Sequence, residues 1–358
     1  MISTHDRIQL LAEASALPYV EALMGKITAH DLSLWLEAEL GNPNALDGFH
    51  PHGDLLSKAY APKYILHIVS GNTPHAAIQS IIRGLLLGSH NIIKLPSAGL
   101  PELSESIQQF PSELKGLIET HDELTEELLN KADAVIAIGS DAAIDAIHKK
   151  TRPDQIFIPH GHKVSIGIVY DDYKGAADLA ARDVSLYNQQ GCLSPHAIYV
   201  QGNIMEFAEL LAVEMEKFTT YNPPAPISLS EAGAIRNLRE TTRFIAANNT
   251  TTKLWESNDS LDWTVVYESD PLLKLSCLNR CVYVKPIPAD LNVMSLGAES
   301  QHLSTIAIHP FKQDTASSLT ALPAHRICPL GQSQQPSLFW HHDGFAPLAS
   351  LVKWKDIG

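Results

Sequence analysis

The chain has 358 residues, more than one ordinary core holds, so two domains or one large α/β unit are expected. A hydrophobic fraction of 45% and a charged fraction of 18% describe a folded globular protein rather than a disordered one. The formal net charge of −14, with the basic residues scattered, excludes a nucleic-acid partner because nothing would neutralise its phosphates.

The opening stretch MISTHDRIQLLAEASALPYVEALMG has no basic segment ahead of an apolar core, so no secretory leader is expected. Apolar runs such as IIRGLLLG at 81–88 are too short to cross a bilayer. Cys192, Cys277, Cys281 and Cys328 show no C-x-x-C spacing and fit free thiols in a reducing cytoplasm. A soluble, cytoplasmic chain is the expectation.

In chain order, residues 3–60 read as helices broken by turns, with DLSLWLEAEL (31–40) at helical spacing and a Gly-, Pro- and Asn-rich loop at 41–54. From Lys63 the texture changes. YILHIVS (64–70), NIIKLP (91–96), AVIAIG (134–139) and QIFIPH (155–160) read as strands. HAAIQSIIRGLLLG (75–88) and DAAIDAIHKK (141–150) read as helices, and 112–131 holds at least one more. Strands apolar on both faces, alternating with helices, predict a parallel sheet covered on both sides. A second α/β block begins with the strand VSIGIVYDD (164–172). It continues through a helix (175–188), Cys192, the strand HAIYVQG (196–202) and a periodic helix at 205–220.

Four features could carry chemistry. Cys192 lies in NQQGCLSPH, after a helix and Gly191; it is either a small structural side chain or a nucleophile exposed at the start of a strand. Asn72, in VSGNTPH at a strand end, is either a turn residue or an amide aimed at an oxyanion. Lys94, at the end of NIIKLP, is either solvated or positioned to reach a ribose or phosphate. Gly139-Ser140, at the start of a helix, is either a cap or a pyrophosphate site. No G-x-G-x-x-G is present.

Taken in order, GNTPHAAIQSIIRGLLLGSHNIIKLPS, IGS and NQQGCLSPHAIYV resemble the aldehyde dehydrogenase superfamily, and more narrowly its acyl-CoA reductase (LuxC-type) branch. HRICPLGQSQQPSLFWHHDGFAPLASLVKW (325–354) is similar to the end of that family. The resemblance covers about residues 60–358. It implies an aldehyde dehydrogenase-like α/β fold: two doubly wound domains with a cleft between them. Residues 1–60 would pack on a cofactor domain at 61–163, with a catalytic domain at 164–328. Residues 329–358 would lie near the active-site mouth or an interface.

The resemblance further implies Cys192 as nucleophile, with Asn72 and the Cys192 N–H as oxyanion donors. Lys94 and Ser97 would face the adenosine ribose, and Gly139 and Ser140 the pyrophosphate. The superfamily's Glu-Leu-Gly-Gly-Lys, whose glutamate activates the hydrolytic water, is matched by PHGHK, which puts Pro159 at that glutamate. A proline is no base, so a thioester on Cys192 would be reduced rather than hydrolysed. Ser97 stands where NAD-preferring members carry glutamate, which favours NADPH over NADH. The later Glu-x-Phe-Gly-Pro motif is matched by LNRCVYV (278–284).

The implied activity is NAD(P)H-dependent reduction of an acyl-CoA, fatty acyl above all, to an aldehyde. An acyl-transferring or acyl-activating partner and a homodimer belong to the same reading. Aldehyde oxidation, acyl-phosphate reduction and a silent scaffold binding an acyl-transferring enzyme are the rival readings. The histidines of FHPHG, PHGHK (His160, His162) and HHDG (His341, His342, beside Asp343) are accompanied by no cluster of cysteines or carboxylates in the sequence, so no metal is expected.

Overall fold

The N-terminal 40 residues fold as their periodicity predicts, into α1 (Thr4–Ser15), α2 (Pro18–Met24) and α3 (Ala29–Leu40). Thr28 and Asp31 start α3 with a reciprocal capping box. The computed structural model describes residues 2–71, 74–96 and 99–358. Two compact units divide the chain, one running to His162 and regaining Ser337–Gly358, the other spanning Lys163–Pro336.

Residues 50–60 differ from the expectation of a loop to residue 54 and helix beyond it. They form β1 (His50–His52) and β2 (Leu55–Tyr60), an antiparallel pair completed by the C-terminal strand Lys353–Ile357. The partner that makes β2 a strand lies about three hundred residues downstream, beyond the reach of any local pattern.

The first unit's main sheet holds β3 (Tyr64–Ile68), β4 (His90–Lys94), β5 (Ile118–His121), β6 (Ala134–Ile138) and β7 (Ile156–His160). All pair in parallel, in the order β5-β4-β3-β6-β7. Around them run α4 (Pro74–Leu87), α5 (Pro101–Gln108), α6 (Ser112–Lys115), α7 (Glu126–Lys131) and α8 (Asp141–His148). The segment 112–131 thus holds a strand between two short helices. The chain builds outward to one side from β3 and to the other from β6. Between the carboxyl ends of those two strands lies the switch point where doubly wound sheets take their ligands. Pro159 is tolerated in β7 because β7 is the edge of the sheet.

The second unit holds β8 (Val164–Val169), α9 (Tyr173–Ser185), β9 (Pro195–Val200), α10 (Ile204–Tyr221) and α11 (Leu229–Asn248). It continues with β10 (Thr252–Glu256), β11 (Thr264–Glu268), β12 (Cys281–Pro286), α12 (Val293–Leu296), β13 (Leu303–His309), α13 (Gln313–Ser318) and β14 (Arg326–Pro329). Its seven strands run β10-β11-β12-β9-β8-β13-β14, with only β10 antiparallel to its neighbour. The central strands β8 and β9 are buried at every position, as continuous apolar runs in a covered parallel sheet should be.

Candidate active site

Cys192 sits in the tight turn that leads into β9. Ser194 N donates to Gly191 O at 3.0 Å, and Ser165 Oγ on β8 donates to Cys192 O at 2.6 Å. These bonds fix the cysteine's backbone while its side chain is only partly covered. No disulfide involves any of the four cysteines.

Upstream of the turn the backbone is strained. Tyr187, Asn188 and Gln189 all have left-handed φ, at 52°, 51° and 61°, and face a second such triplet, Leu278, Asn279 and Arg280, at 61°, 52° and 62°. Non-glycine residues in that region cost about 1–3 kcal/mol each, so other bonds must hold them. Asn279 N donates to Asn188 O at 3.0 Å. Gln189, fully buried, donates through Nε2 to Pro195 O and Cys281 O, both at 2.8 Å, and accepts from Cys281 N at 2.9 Å. Gln190 Nε2 reaches Asn279 Oδ1 at 3.0 Å. The two glutamines of NQQGC are therefore buttresses of the cysteine loop, and LNRCVYV is the wall they brace against.

A second support comes from Asp183 on α9, fully buried. Its carboxylate accepts from Gly331 N at 2.7 Å and Ser333 N at 3.1 Å. The loop so pinned presents Gln334, whose Nε2 donates to Ser194 Oγ at 2.7 Å, two residues from Cys192. Burial raises the Asp183 carboxyl to about 6 against the pull of those N–H donors. Neither support was legible in the sequence, since aspartate in an amphipathic helix and GQSQQ in a loop carry no local signal. Beside the strained triplets a largely apolar cavity of about 430 Å³ opens, lined among others by Asn188, Pro224, Ile227, Arg236, Asp262 and Asn279.

The residues expected to hold a cofactor are in the first unit. Gly139 and Ser140 follow β6 at the switch point, and Ser140 Oγ caps α8 by accepting from Ala143 N at 3.4 Å. That is the plain cap reading, and it leaves the hydroxyl hydrogen available to an anion. A Cβ on Gly139 would meet nothing closer than Ala143 Cβ at 3.9 Å, so the backbone there is open to close approach. Asp141 is turned away, its Oδ1 accepting from His162 N at 2.7 Å. Lys94 ends β4, half-buried. Asn72 and Ser97 lie outside the described residues. The sheet order, a capped helix start with a donor hydroxyl, an open glycine and a cation at the next strand end form a donor set that fits a dinucleotide.

The histidines find a carboxylate: Asp343 follows His342 in the chain, and the fold brings both to His160 from far along the sequence. The hairpin turn His341-His342-Asp343-Gly344, with φ of 51° and 83° at its last two residues, buries His342 and Asp343 against His160 at the end of β7. His160 Nδ1 is 2.8 Å from Asp343 Oδ2, and His342 Nε2 is 3.6 Å from the same oxygen. The three groups converge within the reach of one metal ion. The two imidazoles, however, stack 3.8 Å apart at 13°, and no ion lies in both ring planes of such a stack. The arrangement is that of a carboxylate orienting histidines.

Comparison with solved structures defines the class of protein. An aldehyde dehydrogenase from Brucella melitensis biovar abortus 2308 superposes with a TM-score of 0.73 over 99% of this chain and 85% of its own, at 13% identity. The gamma-glutamyl-gamma-aminobutyraldehyde dehydrogenase of Burkholderia cenocepacia gives 0.71 over 99% and 84%, at 14% identity. The fold is that of the aldehyde dehydrogenases. Within it, the family model described as acyl-CoA reductase (LuxC) matches residues 2–354, and the chain belongs to that family. Long-chain acyl-protein thioester reductases are similar in sequence. That of Aliivibrio fischeri is 26% identical over 88% of this chain and 68% of its own length, and that of Photobacterium phosphoreum is 24% identical over 98% and 74%.

Proposed function

We propose that the protein reduces a long-chain acyl thioester to the aldehyde, using NADPH in preference to NADH, through a thioester on Cys192. The observation that carries this reading is the braced, partly exposed Cys192 in its tight turn, and the presence of proline rather than a base at position 159 of the sequence supports it. The relatives named above are reductases of acyl-protein thioesters, which supports a thioester substrate. Acyl-CoA is the form proposed here, with an acyl-transferring partner as the alternative donor.

In this mechanism the Cys192 thiolate attacks the thioester carbonyl while the Asn72 amide and the Cys192 N–H hold the oxyanion. The bond from carbon to the carrier's sulfur breaks, and the carrier leaves as a thiolate. Cys192 then holds the acyl group. A reduced nicotinamide, when bound, supplies the hydride that this acyl carbon accepts. Lys94 and Ser97 would hold its adenosine ribose, and Gly139 and Ser140 its pyrophosphate. Collapse of the tetrahedral carbon breaks its bond to Cys192, returns the thiolate and releases the aldehyde. No carboxylate stands at position 159 to activate water, so the thioester persists until it is reduced.

The test is a ladder of acyl-CoA lengths with NADPH and NADH, with nucleotide oxidation and aldehyde measured together. Aldehyde equal to nucleotide consumed, faster with NADPH, is expected. Accumulation of free acid in place of aldehyde would contradict the role given to Pro159.

A further inference from the structure

Two cysteines that the mechanism leaves unused, Cys277 and Cys281, flank the left-handed triplet Leu278–Arg280. The turn is closed by Cys281 N donating to Leu278 O at 3.1 Å, and it carries both thiols on one short loop, each acting on the titration of the other, with Cys281 Sγ 3.9 Å from Asn279 O. Cys281 is fully buried at the start of β12, whereas Cys277 is only partly covered. Arg239 lies close by. It is buried, fixed by bonds to Thr264 Oγ1 at 2.9 Å and Trp263 O at 2.9 Å, and its charge acts on both sulfurs.

We propose that Cys277 and Cys281 are a redox-active dithiol, separate from Cys192, which hydroperoxides convert into a disulfide. The asymmetry of the pair suits the chemistry. Cys281 is enclosed and its thiol is raised by its neighbour Cys277 and by burial, while Cys277 stays partly open and its thiol is lowered by the neighbouring Cys281 and by the Arg239 charge. A thiolate-prone, reachable sulfur beside a sheltered thiol is the arrangement of an attacking and a resolving cysteine.

The Cys277 thiolate attacks one peroxide oxygen. A sulfur–oxygen bond forms, the oxygen–oxygen bond breaks, and the alcohol or water departs with a proton from solvent. Cys281, giving up its proton, then attacks the sulfenic sulfur. The disulfide forms and the sulfenic oxygen leaves as water. Two thiols lose two electrons, and the peroxide gains them.

This loop also supports the nucleophile. Asn279, inside the ring that the disulfide would close, donates its N–H to Asn188 O, and Cys281 is gripped through its backbone by Gln189. Closing the ring therefore disturbs the bracing of the NQQGC turn.

The pair can be tested without turnover. In a Cys192→Ser variant treated with hydrogen peroxide, remaining thiols are alkylated and the protein is digested with trypsin, which cuts after Arg280, between the two cysteines. The expected product is peptide 275–280 joined to the peptide beginning at Cys281, two hydrogens lighter than their sum and separated by dithiothreitol. Alkylation of both cysteines, sulfinic acid on Cys277, or linkage of either to another cysteine would overturn the proposal. In the chain with Cys192 intact, the alkylation rate of Cys192 by iodoacetamide is expected to change several-fold after mild peroxide. That change should reverse with dithiothreitol and be absent in Cys277→Ser. An unchanged rate alongside the disulfide would overturn the coupling to the nucleophile loop.

Discussion

Asp183 shows how a single side chain far from the chemistry sets the shape of the cysteine turn. It accepts two backbone N–H groups, from Gly331 and Ser333. Asp183→Asn keeps the shape but replaces one acceptor with a donor. The expected cost is about 1–3 kcal/mol of stability, read as a shift of the urea midpoint. Its carboxyl, raised by burial to about 6, binds protons more readily in the folded than in the unfolded chain. Its contribution is therefore full below the ordinary carboxylate value and is lost as pH rises to about 6. The difference in stability between the native chain and Asp183→Asn should vary across that window and be flat above it. Within the candidate site, the turn around Cys192 was legible because the neighbours of that cysteine in sequence are also its neighbours in the turn. Asp183, Asn279 and Gln334 were not, because what defines them is a partner far away along the chain.

Among elements, β4 and α4 meet at a contact that only glycine permits. A Cβ on Gly84 would stand 1.9 Å from Asn91 Oδ1, the atom that also meets His67 Nε2 at 2.9 Å. Gly84→Ala should break this buried bond or force α4 off the sheet, destabilising the protein by about 2–4 kcal/mol, measured by thermal or denaturant unfolding. His67 is fully enclosed and also bonded to Ser80. Burial lowers its ring to about 3. The ring is thus neutral in the fold, and its contribution is complete above about 6.5 and lost as pH falls towards 3. Replacing His67 by Gln should flatten the acid limb of the stability curve. The alternating strands and helices of this sheet were readable from hydrophobic period. β5 was hidden because its short IETH run lies inside a stretch whose glutamates and leucines suggest helix, and only pairing with β4 makes it a strand.

At the scale of the whole molecule, the chain returns to its first unit after completing the second. Glu39 on α3 accepts from Leu348 N at 2.7 Å and Ala349 N at 2.9 Å. Asp343 meets His160, and the last strand pairs with β2. The C-terminal segment is therefore part of the first unit's core, with Leu348 and Leu351 fully buried. Asp343→Asn keeps the left-handed turn but removes the charge facing His160, and should cost about 2–4 kcal/mol, seen as a lower melting temperature. Hydropathy could not show this return, because the segment is bound by caps and buried polar pairs as much as by apolar faces.

The central claim is that Cys192 carries the acyl group. It is tested most directly by intact mass spectrometry of the protein mixed with a long-chain acyl-CoA in the absence of nicotinamide. The expected result is a single acyl adduct mapped to Cys192, lost in Cys192→Ala and discharged as aldehyde when NADPH is added. No adduct, or an equal adduct in Cys192→Ala, would contradict it.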